Sequence, residues 1–179
     1  MSEEPSPHLL AELPRVRAAC ALGPVIELAC GRGRNALALA RAGIRVAGID
    51  RDPEALAALC ASARAPRLPV SGVLADLETP HGIPVRPGSC GAILVYRFLF
   101  RPLAPAIEAA LAPGGLLLYE TFTLRQRSLA QGPRNPAFLL AEGELPSLFP
   151  GLEVLDAWEG LVERPWPQAL ARLTARRPR

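Results

Sequence analysis

The sequence predicts an α/β protein built on an open, doubly wound, parallel sheet. Three observations carry that expectation. Short apolar runs with branched residues alternate with stretches that repeat Ala and Leu at helical spacing. The run-to-run spacing suits parallel βαβ units, whose right-handed crossovers place helices on both faces of a sheet. The 179 residues, half of them apolar, suffice for the core of one domain and are short for two.

The elements follow in chain order. "HLLAELPRVRAAC" reads as a helix broken or kinked near Pro14. "PVIELAC" (24–30) is a buried strand that stops at Gly31, and "RNALALARAG" (34–43) a helix closed by Gly43. "RVAGID" (45–50) is the second strand. It is followed by a helix over 52–64, with Asp52 as N-cap and Pro53 in its first position. "VSGVLADL" (70–77) and "GAILVYRFLF" (91–100) are the third and fourth strands. "PLAPAIEAALAPGG" is a helix whose closing Pro-Gly-Gly turns into a fifth strand, "LLLYETFT" (116–123).

A sheet of this kind binds ligands at the carboxyl ends of its strands. Beyond the first strand, "ACGRGRN" lets the backbone turn at Gly31 and Gly33 and approach a ligand closely. The next helix adds unpaired N–H groups and the positive end of its dipole. Such a turn is equally a structural device, and the choice rests on its neighbours. Asp50 ends the second strand, 17 residues beyond Gly33. From roughly 5 Å across the sheet, a carboxylate there can accept both hydroxyls of a ribose. One strand further, Asp76 can accept an adenine amino group while the N–H of Leu77 reaches a ring nitrogen. Ala36 stands where a dinucleotide fingerprint has its third glycine, and Glu27 just before the turn would repel a pyrophosphate and attract a cation.

"VIELACGRGRNALALA", "VAGIDRDPEAL", "GVLADLE", "GAILVYRFLFRPL" and "LAPGGLLLYETF" together resemble the successive motifs of class I S-adenosylmethionine-dependent methyltransferases, and most the small bacterial branch of the tellurite-resistance type. The resemblance covers residues 22–124 and, more loosely, the rest. It implies a Rossmann-like sheet of seven strands, mostly parallel, with the last antiparallel and reached through a hairpin. "LEVLDAWE" (152–159) would be the sixth strand. In "QALARLTAR" (168–176) Ala169, Ala171, Leu173 and Ala175 alternate with Arg172, Thr174 and Arg176, which would face outward on a seventh. The expected organisation is one domain over 1–179: an N-terminal helical segment 1–21, a cofactor-binding core 22–124, a candidate lid loop 121–140, and a helix with the C-terminal hairpin over 141–179.

The resemblance also implies S-adenosylmethionine as cofactor and a role for each motif residue. Gly31 and Gly33 would border the methionine moiety, with Glu27 near its ammonium group. Arg34 or Asn35 would hold the carboxylate or close the turn. Asp50 would bind the ribose, Arg51 would flank the adenine, and Asp76 with Leu77 would read its edge. Tyr96 and Arg97 would complete the pocket beside the methyl group. "YRFLFR" departs from the NPPY or DPPY sequence of amino-directed nucleic-acid methylases, so DNA methylation loses support. An activated methyl needs chiefly a positioned nucleophile, and the catalytic candidates are Tyr96, Arg97 and Glu120; His8 and His81 rank below them as bases.

The stretch 121–140 holds Arg125, Arg127 and Arg134, which could neutralise an acidic acceptor as part of a lid or could simply face water. A small-molecule acceptor is expected. The alternatives are a binding module without turnover and a small nicotinamide-binding protein. Composition narrows the field further. All 20 basic residues are arginine, which excludes lysine Schiff-base chemistry. The basic tail Arg176, Arg177 and Arg179 lacks the aromatic interleaving of a nucleic-acid surface. Cysteines 20, 30, 60 and 90 form no CxxC pair, so no metal site is expected, and they read as buried small hydrophobes. The acidic start and the lack of a long apolar run lead to the expectation of a cytoplasmic protein away from membranes.

Overall fold

The computed structural model describes residues 4–79, 81–163 and 165–179. Helix α1 spans Pro7–Ala19, followed by strand β1 (Val25–Leu28), α2 (Arg34–Arg41), β2 (Val46–Asp50), α3 (Pro53–Arg64) and β3 (Val70–Leu74). Then come β4 (Cys90–Tyr96), α4 (Ala104–Ala110), β5 (Leu111–Phe122), α5 (Glu144–Ser147), β6 (Glu153–Val162) and β7 (Gln168–Arg176). The seven strands form one sheet in the order β3-β2-β1-β4-β5-β7-β6. Strands β3 to β5 pair in parallel, and β7 runs antiparallel to both β5 and β6, which is the expected doubly wound architecture. Among the described residues, no helix is long and apolar enough to cross a membrane.

Alternation along the strands divides the core in two. Ile26, Leu28, Ile93, Val95, Leu117 and Leu173 pack on one face with Ile107 of α4 and Leu145 of α5. Val25, Val46, Leu94 and Leu118 pack on the other with Leu9 and Val16 of α1, Leu39 of α2 and Leu59 of α3. Local chemistry sets the helix starts. Ser6 caps α1 by accepting from the N–H of His8, with Pro7 in the first turn. Asp52 caps α3 by accepting from Glu54 and Ala55, with Pro53 at its head. Gly33 has no side chain to cap α2, and Glu27 of β1 supplies the missing acceptor to the N–H of Ala36 at 2.9 Å.

Several expectations change. Helix α1 continues through Pro14 instead of breaking there. Strand β1 stops at Leu28 because Ala29 turns left-handed (φ 51°), and β4 stops at Tyr96 because Arg97 does the same (φ 59°). Strand β3 ends at Leu74, short of the expected Leu77. Helix α4 ends at Ala110, and β5 begins at Leu111. The β5 pairing to β4 then jumps register, from Cys90 opposite Leu111 to Ala92 opposite Leu116. Gly115 permits this bulge: a Cβ there would lie 2.8 Å from the carbonyl oxygens of Cys90 and Ala112. Cys20, expected inside, is exposed. Thr174, expected to face outward on β7, is fully buried, since α1 covers that face and brings His8 Nε2 to 3.0 Å from its hydroxyl.

Between β3 and β4 the described chain crosses without a helix, through a stretch holding Pro84, Pro87, and Gly82 and Gly88 at positive φ. Strand β3 lies at the edge of the sheet, and Leu74 at its end is 63% exposed.

Candidate functional site

The carboxyl ends of β1, β2 and β3 enclose a cavity of about 110 Å³ lined by Ala29, Asp50, Arg51, Ala75, Asp76, Leu77, Glu78 and Phe98. Asp50 is its fixed point. One carboxylate oxygen accepts from the N–H of Gly31 at 2.7 Å, the other from Asp52 at 2.9 Å. The same side chain therefore ties the glycine turn to β2 and lines the cavity, with lone pairs to spare for further donors. Across the mouth, Arg51 pairs with Glu78 at 2.8 Å. Asp76 accepts from the N–H of Glu78 at 2.9 Å, and the Thr79 hydroxyl donates to the Asp76 carbonyl, which shapes the turn that holds Leu77 inside.

The glycine turn has two distinct reasons for its glycines. Both Gly31 (φ 53°) and Gly33 (φ 78°) are left-handed. A Cβ at Gly33 would overlap the Leu59 side chain of α3, whereas a Cβ at Gly31 would meet nothing within 4 Å. Gly33 is required by packing; Gly31 is required only by its backbone angle and by whatever approaches it.

Behind the turn lies a buried polar cluster. Glu27 is 2% exposed, and its two oxygens accept from Asn35 Nδ2 and Ala36 N–H, each at 2.9 Å. Burial pushes its carboxyl up to about 7, against the pull of those two hydrogen bonds. Asn35 in turn accepts from the N–H of Ser6 at 2.9 Å. The Ser6 hydroxyl donates to Glu120 at 3.1 Å, and Arg172 Nε donates to Glu120 at 2.8 Å. Tyr96 is buried with its hydroxyl 3.5 Å from His8 Nδ1. Burial raises the phenol well above its usual range and lowers His8, so Tyr96 stays protonated and His8 neutral at ordinary pH.

The structure thus gathers Glu27, Gly31, Gly33, Arg34, Asn35, Asp50, Arg51, Asp76, Leu77, Tyr96, Arg97 and Glu120 around the carboxyl ends of five neighbouring strands. Arg125 and Arg127 sit exposed on a 3₁₀ turn, Leu124–Ser128. Arg134 donates to the carbonyls of Arg127, Leu129 and Ala130, so it holds the loop in shape. Buried Gln126 stitches that loop to β7, accepting from the N–H of Ala169 at 2.8 Å. His81 is exposed.

Sequence reasoning missed Ala29, Ala75, Glu78 and Phe98 as cavity walls. Ala75 and Glu78 adjoin predicted residues and Ala29 lies between Glu27 and Gly31, so all three could have been reached by extension. The sequence pattern places Phe98 on a strand, whereas the strand ends at Tyr96, Arg97 is left-handed and Phe98 lines the cavity.

A glycine turn, a carboxylate at the end of the next strand, and a seven-stranded sheet ending in an antiparallel hairpin are the features of the class of S-adenosylmethionine-dependent methyltransferases. The chain belongs to the methyltransferase-domain family, whose model matches residues 25–115. S-adenosylmethionine is accordingly the cofactor to be fitted, and the cavity residues suit an adenosine: carboxylates at Asp50 and Asp76, a third at Glu78 paired with Arg51, the backbone of Leu77 and an apolar ring at Phe98.

A search of curated proteins finds no match. Among solved structures the chain is similar to TehB from Haemophilus influenzae, with 23% identity and a TM-score of 0.74 over 93% of this chain and 62% of that one. The chain thus spans less than two thirds of that protein. An S-adenosylmethionine-dependent methyltransferase from Methanosarcina mazei shows 19% identity and a TM-score of 0.72, covering 92% and 97% of the two chains. Geranyl diphosphate C-methyltransferase from Streptomyces coelicolor, in complex with S-adenosyl-L-homocysteine, shows 16% identity and a TM-score of 0.66, covering 94% and 80%. At these identities the likeness is one of fold.

Proposed function

We propose that this chain transfers the methyl group of S-adenosylmethionine to a small-molecule acceptor. The observation that carries the reading is Asp50: it lines a cavity beside a left-handed glycine turn and is oriented by two backbone donors before any ligand arrives. When bound, S-adenosylmethionine supplies a methyl already activated by a sulfonium sulfur, which keeps the bonding pair as the acceptor's lone pair forms the new bond.

The chain's part is binding, orientation and exclusion of water. Asp50 takes the ribose hydroxyls. Asp76 and the N–H of Leu77 read the adenine edge, with Arg51 and Phe98 on its faces. Gly31 borders the methionine moiety. Between the two candidates for its carboxylate we choose Arg34, because the Asn35 amide is engaged at both ends while Arg34 Nη2 has no hydrogen-bond partner among the described residues. Glu27 meets the ammonium group only through lone pairs left by Asn35 and Ala36. Tyr96 donates from a protonated hydroxyl, and Glu120, bound to Ser6 and Arg172, fixes the wall of the site. Neither is arranged as a base, which suits an in-line displacement governed by positioning. Arg125 and Arg127 remain available on the 121–140 loop to a docking acceptor.

The test is calorimetric titration with S-adenosylmethionine, S-adenosylhomocysteine and NAD, followed by a methyl-transfer screen of small carboxylates, phenols, thiols and chalcogen oxyanions. Binding of the first two with turnover of one acceptor is expected. Binding without any turnover would leave a cofactor-binding module, and preference for NAD would overturn the reading.

A further inference from the structure

Two arginines follow the carboxyl ends of the neighbouring strands β1 and β4. Arg34 opens α2 and Arg97 follows β4. Arg34 Nη1 donates to the Glu4 carbonyl at 2.9 Å, and Arg97 Nη2 donates to Gln168 Oε1 at 2.8 Å. Each retains a nitrogen, Nη2 of Arg34 and Nε of Arg97, that is shielded from solvent and has no hydrogen-bond partner among the described residues. Desolvation lowers the pKa of Arg97, and the charge of Arg34 lowers it further. The nearby carboxylates are bound to other partners: Glu27 to Asn35 and Ala36, Glu120 to Ser6 and Arg172.

A buried cationic N–H without an acceptor is unfavourable, and a like charge beside it makes it more so. Arg97 carries a second cost in its left-handed backbone at φ 59°. It is nonetheless held there, by its own N–H to the Glu120 carbonyl at 2.7 Å and by its guanidinium 5.9 Å over the Phe122 ring. Phe122 stacks on Trp166 at 5.9 Å and packs with Leu139 and Leu170 in a small apolar cluster separate from the two main cores. A rigid cation with an unused donor therefore stands beside an aromatic wall, at the end of the strand where the site is completed.

We propose that Arg97 anchors the acceptor, and that the acceptor is a small carboxylic acid with an apolar or aromatic body: its carboxylate rests on Arg97 Nε and its body lies toward Phe122 and Trp166. This rests on the methyl-transfer reading above, in which Arg34 serves the cofactor's own carboxylate. The carboxylate is the handle of the acceptor, so another atom of the same molecule faces the methyl group. A planar guanidinium suits a carboxylate better than an ammonium would.

The experiment uses the full chain saturated with S-adenosylhomocysteine, titrated with benzoate and phenylacetate and with the matching neutral amides. The acids are expected to bind and to raise the melting temperature, the amides to bind at least about tenfold more weakly. Arg97→Gln should weaken acid binding by about tenfold to a hundredfold and remove the preference over amides, with S-adenosylhomocysteine affinity retained. Arg97→Lys should restore part of it. If Arg97→Gln fails to fold, the acid-to-amide ratio of the wild type and its partial retention by Arg97→Lys decide the matter. Equal binding of acids and amides, binding of neither, or undiminished acid binding by a folded Arg97→Gln overturns the proposal while cofactor binding stands. Failure of S-adenosylhomocysteine to bind the wild type would instead overturn the methyl-transfer reading.

Discussion

Replacing Asp50 by alanine removes one side chain from two tasks, and the two losses separate in one assay. In the free protein its oxygens hold the N–H groups of Gly31 and Asp52 at 2.7 and 2.9 Å. Hydrogen bonds to a charged group contribute about 1.5–3 kcal/mol each, and partial exposure places these at the lower end, so Asp50→Ala should cost about 2–3 kcal/mol of stability. For a chain of this size that lowers the melting temperature by about 4–10 °C. The second loss is the ribose contact, another few kcal/mol, which should erase the rise in melting temperature that S-adenosylhomocysteine gives the wild type. Asp50→Asn keeps one carbonyl oxygen and should fall between the two in stability. Differential scanning fluorimetry with and without ligand measures both effects. An unchanged melting temperature of the free mutant would refute the account of the glycine turn, and a ligand-induced rise equal to wild type would refute the ribose assignment.

The remaining expectations concern the turn, its prop and the loop. Gly33→Ala should destabilise the free protein by about 2 kcal/mol or more, because its Cβ meets Leu59 and its φ is left-handed, whereas Gly31→Ala should cost about 1 kcal/mol and chiefly weaken S-adenosylhomocysteine binding; urea melts and titration compare them. Glu27 binds a proton more tightly folded, near 7, than its usual 4.5, so its contribution is fully present below about 4.5 and is lost as pH rises to about 7. The stability of wild type relative to Glu27→Gln should accordingly fall by about 2–3 kcal/mol across that window, and urea melts at pH 4.5 and 8 showing no such difference would contradict the buried carboxyl. Changing Arg125, Arg127 and Arg134 together to glutamine should leave S-adenosylmethionine affinity nearly unchanged while lowering kcat/KM for the acceptor by about tenfold to a thousandfold; wild-type turnover would make the loop a surface feature.

The order of elements and the ligand side of the sheet were legible because they depend on local periodicity and punctuation. Asp52-Pro53 announces a helix start, and Gly31, Gly33 and Asp50 sit at strand ends whatever covers the sheet. What escaped depends on contacts between distant segments. Thr174 alternates like an outward residue, and only the docking of α1 makes it an inward one. Glu27 looks like a free counter-ion until α2 is seen to need an acceptor that Gly33 lacks. Arg34 and Asn35 are indistinguishable as neighbours in a turn, yet Asn35 is consumed by Glu27 and Ser6. The left-handed turn at Arg97 has no sequence signal, since arginine carries no preference for that conformation.

The attachment of α1 ties together parts of the sheet that are far apart in the chain. Ser6 reaches Glu120 across 114 residues of chain, and His8 reaches Thr174 across 166. Contacts separated by this much chain close late in folding, because the entropy of closing so long a loop must be met before the contacts reward it. Leu9 and Val16, which the helix buries with Leu94 of β4 and Leu118 of β5, are covered only once α1 has docked on the sheet. Docking of α1 is therefore a non-local event, and the apolar stripe of the helix lies open to water until it is complete.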